Sequence, residues 1–395
     1  MILYFNPGHE TAVNNTSPYY TSPANTVAMQ QELAFLPAWY GTEGDIVLVE
    51  DSTNKEHYSY LSDNLGQIPK AVMQDALTTI SGSDISLWGI SPQSVHYFKG
   101  LSNELDIKLN IPEWKEDFIY LNSRKAAKDS LLELIDRIPQ ISDDIVPRFY
   151  NKLEDIEQAV NSSRAQLLSK APYSSSGRGL LWLPVTGLTR TERQILHGTL
   201  KKQGDVSIER VLEKVTDLAM EFMSDGQGNI TFEGYSLFQT NNKGGYLGNY
   251  IGAQDNIVCQ LTNNLSSSLL DSVKTNLTEV LKSKYASLYK GCIGVDMLIY
   301  RENGEYKLHP CLEINMRYNM GYLALKLYEK HISALSYGEF RLDFRKNEGD
   351  IYKEHLQMQQ TYPTLFESQK LKKGYLSLCP VNEKSRYWAY ILIND

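Results

Sequence analysis

Cysteine is scarce in this chain. Its four residues, Cys259, Cys292, Cys311 and Cys379, lie far apart with no CxxC pair, so neither a zinc ribbon nor a disulfide framework is implied and a reducing, cytoplasmic setting is expected. Positive charge is in deficit too: 39 Lys and Arg stand against 47 Asp and Glu, a formal net charge of −8. Nucleic acid and anionic membranes recruit basic faces, so neither is expected as a main partner. Long apolar runs are missing. None approaches the ~20 residues of a membrane span, and the run from Met1 to Phe5 is too short for a signal peptide. No repeat or low-complexity tract is visible.

What is present suits a globular protein of several domains: 395 residues with 42% hydrophobic content can build two or three cores. Ile2 to Phe5, Asp45 to Val49 and Ile85 to Trp88 read as buried strands, with a helix over Ala24 to Leu36 between the first two. That order predicts an α/β amino-terminal domain to about Pro112. Ser123 to Ile138 has a capping residue and an apolar period near 3.6, so a helix opens the next unit, and Leu265 to Leu288 is a second long helical stretch. Lys373 to Leu378 and Tyr387 to Ile393 look like a closing pair of strands. Asn14 to Pro23, rich in Tyr, Pro, Ser and Thr, is the expected long functional loop.

The segment Gly294 to Arg317 carries the most chemistry. Asn303-Gly304 is a two-residue hairpin signal, because a type I′ turn needs positive φ at both positions. If Glu302 faces Glu305, counting back puts Asp296 opposite Cys311, with Glu313 as its diagonal neighbour on the same face. Strand alternation adds Asn315 and Arg317 to that face. Two carboxylates and an amide oxygen suit Mg²⁺, which completes its octahedron with water and phosphate, and Arg317 can hold transferring phosphate charge. The competing reading is a surface hairpin whose acids merely face water. Pro310 bears on the register, since a proline inside a strand requires an edge or a bulge.

Upstream, Gln166 to Ala171 and Leu180 to Leu183 read as strands flanking the loop Pro172 to Gly179. Serine and glycine let backbone N–H groups approach an anion, and Lys170 and Arg178 add positive charge. The loop is neither a Walker loop nor a Rossmann fingerprint, and a flexible hairpin tip is the alternative. Asp205 to Leu212 reads as another strand, followed by Asp217; an extended hinge can read an adenine edge and a nearby acid can bond ribose hydroxyls, although any polar-edged strand looks similar.

In order, Lys170-Ala171 with Gly177-Arg178-Gly179, Ile208-Glu209-Arg210-Val211-Leu212, Gly294-Val295-Asp296 and Glu313-Ile314-Asn315-Met316-Arg317 resemble the ATP-grasp superfamily from about Tyr120 to Leu323. The lysine-to-arginine spacing is that of its carboxylase branch. The resemblance implies ATP and Mg²⁺ as cofactors. It makes Lys170 the contact to the α- and β-phosphates, and Ser174, Ser175, Ser176, Gly177, Arg178 and Gly179 the flap over them. Glu209 and Val211 become the adenine hinge, Asp217 the ribose contact, and Asp296, Glu313 and Asn315 the metal ligands. Lys170, Arg178 and Arg317 carry the catalytic charge at the transferred phosphoryl group. Arg124 takes the place of a phosphate-binding lysine, with Lys125 as the alternative. Asp296 stands where glutamate is more usual, and the flap is serine-rich. The extra lysine and histidine of bicarbonate chemistry have no counterpart, which disfavours carboxylation.

The fold class so implied is α/β (α+β): an α/β amino-terminal domain over 1–115, a small flap-bearing unit over 116–208, a metal-bearing unit over 209–345 and a closing segment over 346–395. The implied activity is an ATP- and Mg²⁺-dependent ligase that joins a small-molecule carboxylate to an amine through an acyl phosphate. A kinase that stops at phosphoryl transfer, or a nucleotide-binding regulatory protein without turnover, is the alternative. Asn6 to Glu10, just beyond the first strand, places His9 or Glu10 where an acceptor or a base could sit, with a capped turn as the plainer reading. His309 is expected to be structural or to support the metal-type ligands from behind.

Overall fold

The computed structural model describes every residue except Ser175 and Ser176. The chain opens with five short strands: β1 (Ile2–Tyr4), β2 (Ile46–Leu48), β3 (Lys70–Val72), β4 (Ser83–Leu87) and β5 (Leu109–Asn110). They form a sheet of order β3-β2-β1-β4-β5, paired in parallel throughout. Parallel neighbours need crossovers, and the helices Thr53–Leu65 and Pro92–Glu104 supply two of them. The helix expected over Ala24 to Leu36 ends at Glu32 and gives way to a short 3₁₀ turn, Leu36–Trp39, whose second residue is Pro37. Proline lacks the N–H that a continuing helix would use.

A second sheet is antiparallel. It is built from β6 (Arg148–Tyr150), β7 (Leu167–Lys170), β8 (Leu180–Leu183) and β9 (Val206–Arg210) in the order β6-β9-β7-β8. Ile156 and Val160, four apart on the helix Leu153–Ser162, pack with Leu196 of the helix Arg190–Gln203 against Leu183, Val206 and Ile208. This small core fixes the β7–β8 hairpin.

The third sheet has nine strands. They are β10 (Glu213–Asp225), β11 (Ile230–Thr240), β12 (Tyr246–Ile251), β13 (Lys290–Glu302), β14 (Glu305–Asn315), β15 (Tyr337–Phe344), β16 (Leu365–Glu367), β17 (Lys370–Ser377) and β18 (Tyr387–Asn394). Their order is β14-β13-β10-β11-β12-β15-β18-β17-β16, so the carboxyl-terminal strands extend the sheet that holds the β13–β14 hairpin. The helices Arg124–Arg137 and Ser267–Tyr285 bury Leu131, Leu134, Leu277 and Leu281 against one face of it. The amino-terminal domain docks through Leu33, Phe35 and Trp39 onto Leu323, Leu371 and Ile391. Trp39 Nε1 donates to the Leu378 carbonyl at 2.8 Å, satisfying the indole inside that apolar contact.

The β13–β14 register corrects the sequence expectation. Asn303 and Gly304 take φ of 51° and 84°, and Glu302 does face Glu305. From Leu298↔His309 to Asp296↔Glu313, however, the ladder advances two residues on β13 and four on β14. Asp296 therefore lies directly opposite Glu313 rather than Cys311. The cause is Pro310 inside the bulge, which has no N–H to give the ladder. Because the excess is even, the alternation of faces is preserved and Glu313 and Asn315 stay on the side of Asp296.

Candidate functional site

A cleft of about 500 Å³ lies between the four-stranded and nine-stranded sheets. β7 and β9 bring Lys170 and Glu209 to it, with Val211 just beyond β9; β10 brings Asp217, Ala219 and Glu221, and the β13–β14 hairpin brings Asp296, Glu313 and Asn315. Arg124, Gly177, Arg178 and Arg317 complete the set of expected residues in its walls. The acids thus face an internal cleft, not the outer surface of a hairpin. Leu168, Leu180, Trp182, Leu298 and Leu312 add apolar lining, and Leu298 stands one same-face step from Asp296.

Two expected flap residues lie elsewhere. Ser174 and Gly179 line a neighbouring cavity, while Arg178 borders both spaces. The expectations for Ser175 and Ser176 fall outside the described residues. Gly177 has φ of 75°, and a Cβ there would meet the Gly244 carbonyl carbon at 2.5 Å, so Gly177 rests on the β11–β12 turn through a contact that only glycine permits. Lys125, the alternative to Arg124, is ion-paired to Asp205 and is not among the cleft's lining residues.

The charges interlock. Arg124 Nη2 donates to Glu313 at 2.9 Å and its Nε to the Ala171 carbonyl at 3.1 Å, tying the metal-type hairpin to the base of the flap. Lys170 is ion-paired to Glu209, so two of the side chains expected to contact nucleotide hold each other. Asp217 accepts from Thr240 Oγ1 and from Lys214 Nζ, each at 2.7 Å. Val211 donates its backbone N–H to the Gln166 carbonyl at 2.9 Å, which removes that donor from any ligand-reading role. His309 is buried at the start of the bulge; burial, then the nearby Lys170, push its imidazole down to about 3. It does not line the cleft, in keeping with a structural residue.

Burial, and then the facing Glu313 carboxylate, push the Asp296 acid up, while Arg317, an Asn315 hydrogen bond and Arg124 pull the other way. Two carboxylates forced together out of water carry unrelieved negative charge, and a cation between them would remove it. Among the described residues no group of three or more His, Cys, Asp and Glu is placed to hold a metal. The donor set is two carboxylates and one amide, all oxygen, which fits a hard divalent cation that takes its remaining positions from water or phosphate and does not suit zinc.

Two further acids complete the site: Glu10, expected only as an acceptor contact or a base, and Glu221, to which the sequence assigned no role. Arg317 donates through Nε to Glu10 at 2.6 Å and through Nη1 to the Tyr318 carbonyl at 3.1 Å. Burial alone would raise the Glu10 acid, but Arg317 and then His9 hold it well below the usual carboxylate range. Glu10 thus orients the arginine from the amino-terminal domain; its position after β1 was the only sequence signal. His9 Nε2 lies 3.0 Å from Asn122 Oδ1, and Asn122 Nδ2 donates to the Phe118 carbonyl, which fixes the amide and assigns the proton to Nε2. Glu221 is fully buried, bonded to Asn319 Nδ2 at 2.8 Å, and pushed up to about 8 by burial. A Cβ on Gly321 would meet its Oε1 at 2.2 Å, so a glycine gives it room. Alternation along β10 puts Glu221 on the face of Asp217, the one pattern that could have found it.

No family model matches the sequence, and no curated protein matches it. Solved structures do. Biotin carboxylase from Campylobacter jejuni, in complex with an ATP analogue, superposes with a TM-score of 0.54 at 12% identity over 100% of this chain and 87% of that one. The biotin carboxylase domain of Hydrogenobacter thermophilus 2-oxoglutarate carboxylase, solved with MgADP and bicarbonate, gives 0.53 at 12% over 99% and 85%. N5-carboxyaminoimidazole synthetase from Staphylococcus aureus, complexed with ADP, gives 0.50 at 11% over 100% and 93%. At such identities the likeness is one of architecture, and it spans the whole chain.

Proposed function

We propose that this chain, which has the ATP-grasp fold, is an ATP- and Mg²⁺-dependent ligase that joins a small-molecule carboxylate to an amine. The observation that carries the reading is the convergence on one cleft of Lys170, Arg317 and the Asp296, Glu313 and Asn315 oxygens from three separate stretches of chain. The similar structures named above hold ATP analogues or ADP, one with magnesium, which supports nucleotide in the same place.

In this reading the leucines and Trp182 enclose the base, Glu209 and Asp217 bond its amine and the ribose, and Lys170 neutralises the α- and β-phosphates. Lys170 is buried, so its charge acts at low dielectric and counts for more than an exposed lysine would. Asp296, Glu313 and Asn315 would hold Mg²⁺, which when bound supplies charge neutralisation of the triphosphate. Arg317, kept in orientation by Glu10, stabilises the transferring phosphoryl group. A substrate carboxylate oxygen bonds to the γ-phosphorus as the bond to ADP breaks, giving an acyl phosphate. The amine then bonds to the carbonyl carbon, phosphate leaves carrying that oxygen, and the amine loses a proton to complete the amide.

The test is ADP and phosphate release by the full chain with small acids and amines supplied singly and in pairs. Release that needs both partners is the expected result. ADP formed with the acid alone, in stoichiometric phosphorylation without phosphate release, would identify a kinase. Nucleotide binding without ADP under every pairing would identify a regulatory protein.

A further inference from the structure

Beside the cleft is a second cavity of about 530 Å³, in the range of small-ligand pockets. One wall is the amino-terminal domain, with Gly8, Thr11 and Tyr20; the other is the flap base and the helix Arg190–Gln203. The two spaces share a border. Arg178 lines both, and one turn after β1 gives Pro7 and Glu10 to the cleft but Gly8 and Thr11 to the cavity.

Their electrostatics differ. The cleft lining mixes six carboxylates with six cations, as a site for both a metal ion and a nucleotide would. The cavity's described lining has two cations, Arg178 and Lys202, and no carboxylate. On a chain of net charge −8 an acid-free pocket with two cations runs against the average surface and selects anions. Lys201 and Lys202 both stand in the last turn of their helix, where any cation offsets the helix dipole, yet only Lys202 lines the cavity.

Both walls are held in place. Gln203 accepts from the Tyr173 N–H at 2.9 Å and donates to the Tyr173 carbonyl at 3.2 Å, clamping the flap base to the helix end. Opposite, the Tyr20 N–H donates to the Ser17 carbonyl at 3.2 Å. This gives the Asn14–Pro23 loop, which the ATP reading leaves without a task, a place in a binding wall.

We propose that this cavity seats the far end of the acid substrate, and that the substrate is a small dianion. One carboxylate reaches past Arg178 to the phosphoryl site, and a second carboxylate or a phosphate is held at Lys202. The proposal rests on the ligase reading for which end reacts, but the anion site itself can be measured without turnover.

Isothermal titration of the full chain with succinate, phosphoglycolate and acetate, each with and without Mg²⁺ and a non-hydrolysable ATP analogue, tests it. At least one dianion should bind saturably, and about tenfold or more tighter than acetate; the tighter of the two identifies the second group as carboxylate or phosphate. Lys202→Glu should weaken that dianion by about tenfold or more, the loss of a charge-assisted contact. Lys201→Glu should not, and analogue affinity should be equal in all three proteins. No saturable dianion binding, acetate binding as tightly, or unchanged binding in Lys202→Glu would each overturn the proposal. Failure of the nucleotide analogue to bind would count against the ligase reading alone, because the anion titration is also read without nucleotide.

Discussion

Asp296 shows how a single position acquires its chemistry from its surroundings. Facing Glu313 across the bulged hairpin and half-buried in the cleft, it pays for its charge in lost solvation and in repulsion, and a divalent cation is the natural relief. Asp296→Asn and Glu313→Gln should each lower Mg²⁺-dependent ADP formation by about 10²-fold or more, since each would remove a charged ligand of the proposed Mg²⁺. Asp296→Asn should not lower the melting temperature of the metal-free protein, because the acid it replaces is the strained member of a like-charged pair. Wild-type turnover in both variants would refute the metal assignment, and a large loss of stability would refute the electrostatic one. The residue types at this site were legible in the sequence because Asn303-Gly304 pinned the turn and alternation did the rest. The exact partner of Asp296 was not: a proline signals that a ladder must break, but only the packed sheet decides how many residues the break inserts. Glu10 and Glu221 were harder still. Their roles depend on Arg317 and Asn319, about 300 and 100 residues away in sequence, and no local pattern encodes such a meeting.

Among the elements, the β7–β8 hairpin is the one expected to respond to nucleotide. Its strands were readable as two short apolar runs around a Ser/Gly loop, and they appear at Leu167–Lys170 and Leu180–Leu183. The support of the loop by Gly244 was not readable, since it joins segments 67 residues apart through a contact between two glycines. Gly177→Val should raise the KM for ATP about tenfold with a smaller loss of kcat, because valine resists φ of 75° and its Cβ would press on the Gly244 carbonyl. Trypsin cleavage after Arg178 should be suppressed in the wild type by ATP with Mg²⁺. Cleavage at an unchanged rate at saturating nucleotide would count against a flap that covers the phosphates. The carboxyl-terminal strand pair was likewise readable as a pair, yet its destination was not. Antiparallel strands of this kind can close a separate unit or extend an existing sheet, and here Gly338↔Ile393 pairing joins them to the large one.

For the molecule as a whole, four histidines withdrawn wholly or partly from water set the acid limit. Burial pulls His57, His331 and His355 down to about 4 and His309 to about 3, from an ordinary value of 6.5. A group whose folded pKa is depressed in this way favours the folded state above its unfolded pKa, and that contribution is lost as pH falls from about 6.5 towards 4, where the unfolded chain binds protons that the folded chain cannot. Glu221 and Asp296, both pushed up, work in the opposite sense and gain as pH falls towards 4.5. Four histidines against two carboxylates leave a net loss. Melting temperature measured at pH 7.5, 6.5, 5.5 and 4.5 should therefore fall across the last two steps, from 6.5 to 4.5, and His331→Gln should flatten that slope. A melting temperature that rises between pH 6.5 and 4.5 would contradict the burial of these imidazoles in the folded protein.

The central claim is that the cleft activates a carboxylate by phosphorylating it. With the acid identified by the paired-substrate screen, its carboxylate can be labelled with ¹⁸O and the released phosphate weighed by mass spectrometry. The account predicts one ¹⁸O in each phosphate released in the presence of both acid and amine. Unlabelled phosphate from a reaction that consumes both partners would contradict it, because the oxygen would then have come from water and no acyl phosphate would have formed.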